Sequence, residues 1–165
     1  MKPEDVIAAL EKQNLKLAIA ESLTGGLLCS ELVSVPGASK VILGSIVAYQ
    51  TGLKAASLGV SSELLDRVGA VDPEVAIKMA EGVRSRMALQ LLLPTESVIG
   101  ISTTGVAGPD SQDGKPVGLV YIGISGPKGE SVWEEQIAGD RQAIRSETVR
   151  MVFAKIGEYL APKAG

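Results

Sequence analysis

The run Ala20-Glu21-Ser22-Leu23-Thr24-Gly25-Gly26 constrains this chain more than any other segment. Before it lies Lys16-Leu17-Ala18-Ile19-Ala20, which reads as a short apolar strand. After Ser22 the segment Thr24 to Val33 reads as a helix. A serine and two glycines at a strand-to-helix junction can present a hydroxyl beside free backbone N–H groups. The chain contains no histidine, so a nucleophilic serine here has no imidazole to serve as its base. The candidate base is Lys54, five residues after Tyr49 in Tyr49-Gln50-Thr51-Gly52-Leu53-Lys54.

A lysine with its ordinary pKa of about 10.4 is charged and useless as a base, so Lys54 needs desolvation or a neighbouring cation. Val47, Ala48, Leu53, Ala55 and Ala56 supply apolar surroundings for such burial. Tyr49 fits either a proton relay or a group that orients the lysine. Blander readings compete: Ser22 as a helix cap, Lys54 as a solvated helix residue, and Glu21 facing solvent rather than orienting Lys54. Thr24 is a competing cap, which would free Ser22 for chemistry. Gly25 and Gly26 bare the helix entrance, where the amides suit an oxyanion or a phosphate.

The rest of the chain alternates helices and strands. Pro3-Glu4-Asp5 opens a first helix with Val6, Ile7 and Leu10 as its apolar face, and Pro36 to Ser39 is a turn. Val41 to Tyr49 reads as a strand, followed by short helices over Gly52 to Leu58 and Ser61 to Val68. Asp72-Pro73-Glu74 is a start signal for a helix to about Gln90. Ser97 to Ser102 is a strand leading into Thr104-Gly105-Val106-Ala107-Gly108-Pro109, whose Gly105 and Gly108 permit an anion-binding nest or a plain turn. Leu119 to Ser125 and Glu130 to Ile137 form a hairpin about Gly126-Pro127-Lys128-Gly129. The last helix runs from about Asp140 to Leu160, with Arg141 at its start; a cation there opposes the dipole and suggests a phosphate or carboxylate partner. The pattern is that of one α/β domain over residues 1–165, with a mixed, partly parallel sheet.

Composition removes several functions. Aromatic residues are only 3% of the chain and net charge is −3, which disfavours base-stacking platforms and basic stripes for nucleic acid. No run approaches a membrane span and no secretory apolar region follows Met1, so a cytoplasmic protein is expected. The single cysteine, Cys29, cannot form an internal disulfide and sits at a core spacing. Without histidine or Asp-x-Asp clusters, neither a metal site nor a cofactor is expected. A mean hydropathy of +0.25 fits extra burial in an oligomer or simply a Leu-rich core.

Taken together, Glu21-Ser22-Leu23-Thr24-Gly25-Gly26, Tyr49 with Lys54, Leu58-Gly59-Val60, Gly69-Ala70-Val71, Thr104 to Pro109, Lys115-Pro116-Val117-Gly118 and Gly139-Asp140-Arg141 with Arg145 resemble the C-terminal domain of the competence/damage-inducible CinA family. That resemblance implies a three-layer α/β/α fold, a homodimer or higher homo-oligomer, and hydrolysis of nicotinamide mononucleotide to nicotinate mononucleotide and ammonia. It implies Ser22 as nucleophile and Lys54 with Tyr49 as the proton-transfer group. Glu21, Thr24, Gly25, Gly26, Thr51, Thr104, Gly105, Gly108 and Arg141 are the implied substrate contacts, with a small nucleotide as partner. Thr51 stands where many members carry Asn, and Asp72 where Ser is common. A different class is a noncatalytic CinA-like module that binds a nucleotide or a protein in competence or DNA-damage responses.

Overall fold

The computed structural model describes residues 1–162. Pro3 at the first helical position and the apolar triplet Val6, Ile7 and Leu10 give α1 (Pro3–Lys12) a start and one buried stripe. The chain then enters β1 (Lys16–Glu21), which is buried along almost its whole length. α2 (Leu27–Val33) carries it over to β2 (Ile42–Val47), parallel to β1. Three helices follow, α3 (Thr51–Leu58), α4 (Ser62–Val68) and α5 (Pro73–Gln90). Ser61 caps α4 through Leu64 N–H, and Asp72 caps α5 through Glu74 N–H. β3 (Val98–Gly105) then pairs parallel with β1 on its other side. β4 (Leu119–Gly126) and β5 (Gly129–Gln136) add an antiparallel hairpin, and α6 (Arg141–Leu160) closes the fold.

The sheet order is β2-β1-β3-β4-β5. One face packs against α1, α2 and α6 through Leu17, Ile19, Ile99, Ile101, Val120, Ile122 and Ile124. The other is covered by α5 with α3 and α4, against the small Ala18 and Ala20. These are three layers, α/β/α, around a mixed sheet, as expected. Helices on both faces explain why β1, β3 and β4 are apolar throughout, whereas the edge strand β5 alternates. α5 reaches the sheet closely at Gly123, where an added Cβ would stand 2.6 Å from the Ala76 carbonyl oxygen. No helix among the described residues is long and apolar enough to cross a membrane.

Three boundaries differ from the sequence reading. The second helix begins at Leu27, not Thr24, because Gly25 and Gly26 hold φ of +58° and +96° and keep the chain in a turn. β2 stops at Val47 rather than Tyr49, since Ala48 already turns its N–H to the Glu21 carbonyl. β3 runs on from Ser102 to Gly105, because Thr103, Thr104 and Gly105 pair with Ile122, Tyr121 and Val120 of β4.

Candidate active site

The parallel strands β2, β1 and β3 end side by side, and the chain leaves each of them at the same edge of the sheet. A crevice at the carboxyl ends of such strands is where α/β folds place their ligands. Ser22 follows β1 directly and is fixed on one side by its own N–H, which donates to the Thr103 carbonyl at 3.0 Å. On the other side Ala48 N–H donates to the Glu21 carbonyl at 2.8 Å. The segment after β2 is thereby stitched to the segment before the serine.

Lys54 lies in the first half of α3, and its side chain turns inward until only 1% of the residue is exposed. Its Nζ is 3.1 Å from Ser22 Oγ and donates to the Ala48 carbonyl at 2.9 Å. Among the described residues no carboxylate hydrogen-bonds this amine. Burial therefore acts without a compensating anion and lowers its pKa from 10.5 to about 8. The solvated-lysine alternative is excluded, and Ser22 and Lys54 are brought together as the motif spacing suggested.

Glu21 is placed otherwise than expected. It neither meets Lys54 nor faces solvent; it is fully buried on the opposite side of the strand from Ser22. Its carboxylate accepts from the N–H groups of Gly26, Leu28 and Cys29 at 2.9, 3.1 and 3.1 Å, and from Ser45 Oγ at 3.0 Å. The amides at the mouth of α2, expected to hold an oxyanion or a phosphate, are thus already satisfied by a side chain. Ser45 reaches Glu21 because β2 carries one extra residue: Leu17 pairs with Ile42, but Ala18 pairs with Gly44. This bulge at Leu43 re-aims everything after it. Leu43 and Ile46, three apart, consequently share the α5 face, leaving Ser45 on the α2 side.

Thr24 is not a cap. Its hydroxyl is buried against Thr103 Oγ1 at 2.9 Å and ties the turn to β3. Thr24, Gly25 and Gly26 shape the turn without lining the cavity beside Ser22. That cavity, about 250 Å³, is bounded by Ser22, Leu23, Tyr49, Gln50, Thr51, Ala70, Val71, Thr104 to Gly108, Asp110, Gln112 and Arg141. Thr104 donates its hydroxyl to the Ala70 carbonyl at 2.7 Å, joining the start of α5's approach to β3. Thr51, Gly105 and Gly108 lie in the wall as expected.

Tyr49 and Arg141 close one end of the cavity together. Arg141, the first residue of α6, donates from Nη2 to Tyr49 Oη at 2.5 Å and from Nη1 to the Gly108 carbonyl at 2.7 Å. Both acceptors are neutral, so the guanidinium keeps its full charge at the cavity mouth. No hydrogen bond among the described residues joins Tyr49 to Lys54 or Ser22, which places the phenol with the binding groups rather than in a proton relay. Among the described residues no group of three or more His, Cys, Asp or Glu side chains could hold a metal ion.

Sequence reasoning left several wall residues unassigned: Gln50, Ala70, Val71, Asp110 and Gln112 come from loops with no periodic signature. Arg145 was matched to a motif but given no role. Its Nε and Nη2 donate to the carbonyls of Leu23 and Thr24, both at 3.0 Å. The signal was its spacing, one helical turn after Arg141, which points both side chains toward the same end of the sheet.

The family model of the CinA C-terminal domain matches residues 2–160. A CinA-like protein of Frankia casuarinae is 45% identical over 156 residues, covering 94% of this chain and 34% of its own length. A CinA-like protein of Dictyoglomus thermophilum is 45% identical over 147 residues, covering 88% of this chain and again 34% of that protein. The chain therefore spans about a third of these curated relatives. Among solved structures, a competence/damage inducible protein from Agrobacterium tumefaciens superposes with a TM-score of 0.85 at 30% identity, covering 94% of this chain and 92% of that one.

Proposed function

The chain belongs to the CinA C-terminal domain family, and on that premise we propose that it is a nicotinamide-nucleotide amidohydrolase working through Ser22 and Lys54. The reading is carried by one observation, the 3.1 Å approach of a buried, desolvated lysine amine to a serine hydroxyl at the wall of a polar cavity. With a pKa of about 8, roughly a tenth of Lys54 is neutral at pH 7. In that form one N–H stays on the Ala48 carbonyl, which turns the nitrogen lone pair toward Ser22. A backbone carbonyl so takes the orienting part that a carboxylate plays in histidine-based triads.

In the forward step the Ser22 proton passes to Lys54 as Oγ bonds to the carboxamide carbon, and the carbonyl oxygen becomes an oxyanion. Collapse breaks the C–N bond, and the Lys54 ammonium gives its proton to the departing nitrogen, which leaves as ammonia. Water, deprotonated by the neutral amine, then attacks the acyl ester and releases the acid and free Ser22. The N–H groups of Leu23 and Thr24 have no hydrogen-bond partner among the described residues, and they immediately follow the nucleophile, as donors for the oxyanion should. Arg141, with the glycine-rich wall from Gly105 to Gly108, is the counter-charge for the substrate phosphate.

Purified protein incubated with nicotinamide mononucleotide and a chelator should release ammonia and nicotinate mononucleotide in equal amounts. Wild-type turnover by a Ser22→Ala variant would remove the serine from the reaction. Unchanged KM in Arg141→Met would remove the phosphate assignment while leaving the hydrolase intact.

A further inference from the structure

Two buried or half-buried charges grip the turn after Ser22 from opposite sides, and neither enters the reaction scheme above. We propose that Glu21 and Arg145 are positioning residues that together hold this turn open as a ready-made oxyanion site; the inference rests on the amidohydrolase reading and deepens it. The Glu21 carboxylate collects the N–H groups that follow the turn, those of Gly26, Leu28 and Cys29. The Arg145 guanidinium collects the carbonyls within it, those of Leu23 and Thr24. Between the two sets lie the N–H groups of Leu23 and Thr24, for which the described residues provide no acceptor.

The peptide group explains why the grip matters to these donors. The Leu23 carbonyl and the Thr24 N–H belong to one rigid plane and point opposite ways. A guanidinium on that carbonyl therefore fixes the direction of the Thr24 N–H and polarises it. The preceding plane, Ser22 carbonyl with Leu23 N–H, is fixed by Gly25 N–H, which donates to the Ser22 carbonyl at 3.1 Å. Gly25 itself can occupy its φ of +58° with no side chain, and a Cβ there would sit 3.6 Å from Arg145 Nη2. Donors held before charge develops need no reorganisation in the transition state, and that is where such groups act most strongly.

Arg145 also donates to Gln142 Oε1 at 3.1 Å within its own helix, so its guanidinium is aligned from both ends. Ser45, delivered by the bulge in β2, does the same for Glu21. Each clamp thus has its own support, and neither touches Lys54.

The test compares wild type, Arg145→Met, Arg145→Lys and Glu21→Gln, each checked for folding by thermal melting. Two readouts are taken: steady-state hydrolysis across pH, and the rate at which a fluorophosphonate labels Ser22, forming an Oγ–P bond and releasing fluoride. Arg145→Met should lower both kcat and labelling about a hundredfold, with KM and the pH midpoint unmoved. Arg145→Lys should recover only part, because one ammonium cannot match the fork across two carbonyls. Glu21→Gln, which turns an amide N–H toward the donors of α2, should show the same split. Labelling at the wild-type rate in folded Arg145→Met would overturn the proposal. So would a loss confined to KM, which would make Arg145 a substrate contact, or a shifted pH midpoint, which would make it an influence on Lys54. The labelling arm needs no nucleotide: a chain that labels Ser22 but leaves the mononucleotide intact would sink the substrate reading alone.

Discussion

The two halves of the sheet are built on different rules. On the antiparallel side, β4 and β5 are joined by a tight turn, and the exposure of β5 alternates residue by residue while β4 is buried throughout. On the parallel side, β2, β1 and β3 need crossover helices, and their carboxyl ends collect buried polar groups: Glu21, Ser22, Thr103 and Thr104. The hairpin half stabilises the molecule through packing. The parallel half carries polar side chains that contribute nothing to packing that an apolar residue would not do better. Function and stability are thus separable along one sheet.

Substitutions can break this contrast or sharpen it. The largest effect should come from the parallel half: Ser22→Ala is expected to lower kcat about ten-thousand-fold or more while the melting temperature stays near wild type. Lys54→Met should do the same to turnover, read by ammonia release. On the hairpin side, Gly123→Ala places a methyl 2.6 Å from the Ala76 carbonyl oxygen and 2.8 Å from Ser102 Oγ. That overpacking should cost about 3 kcal/mol in denaturant unfolding, with kcat of the folded fraction unchanged. A large fall in kcat for Gly123→Ala at full folding would dissolve the separation.

Lys54 links the halves through pH. Its amine is lowered from 10.5 to about 8 in the fold, so between these values the unfolded chain binds more protons and stability rises with pH. Below pH 8 the buried ammonium imposes its full penalty, roughly 3 kcal/mol for a shift of this size. Lys54→Met should therefore be more stable than wild type at pH 7, and the difference should shrink as pH approaches 10.5. Paired unfolding curves at pH 7 and pH 10 check this. Activity should follow the same amine, rising toward a plateau above pH 8. The smallest effect is expected from Tyr121→Phe, which deletes a 2.8 Å bond to Glu134 on the hairpin and should cost about 1 kcal/mol with no kinetic change.

Much of the architecture was legible because it obeys local rules. Asp72-Pro73 and Ser61 announce their helices, and Gly126 to Gly129 announces the hairpin. The Ser22 and Lys54 pairing was legible because the absence of histidine left few bases to choose from. What escaped depends on contacts between segments far apart in the chain. Glu21 as the cap of α2 could not be read from its spacing, since the choice among Lys54, solvent and amides is made by which way the strand faces. Thr24 looked like a cap until Thr103, 79 residues later, claimed its hydroxyl. The end of β3 was hidden because its last residues are held by β4, across a long loop.

The extra residue in β2 has a reach beyond its own position. It works as a reading frame: every side chain after Leu43 faces the side it does because one residue was counted twice against β1. Deleting Leu43 would turn Ile46 toward Glu21, send the Ser45 hydroxyl into the alanine-lined layer beneath α5, and shorten the tether to Ala48 and Lys54. Length changes in this strand are therefore tolerable only before Ile42 or beyond Lys54, and the spacing from the bulge to the lysine is as much a part of the site as the lysine itself.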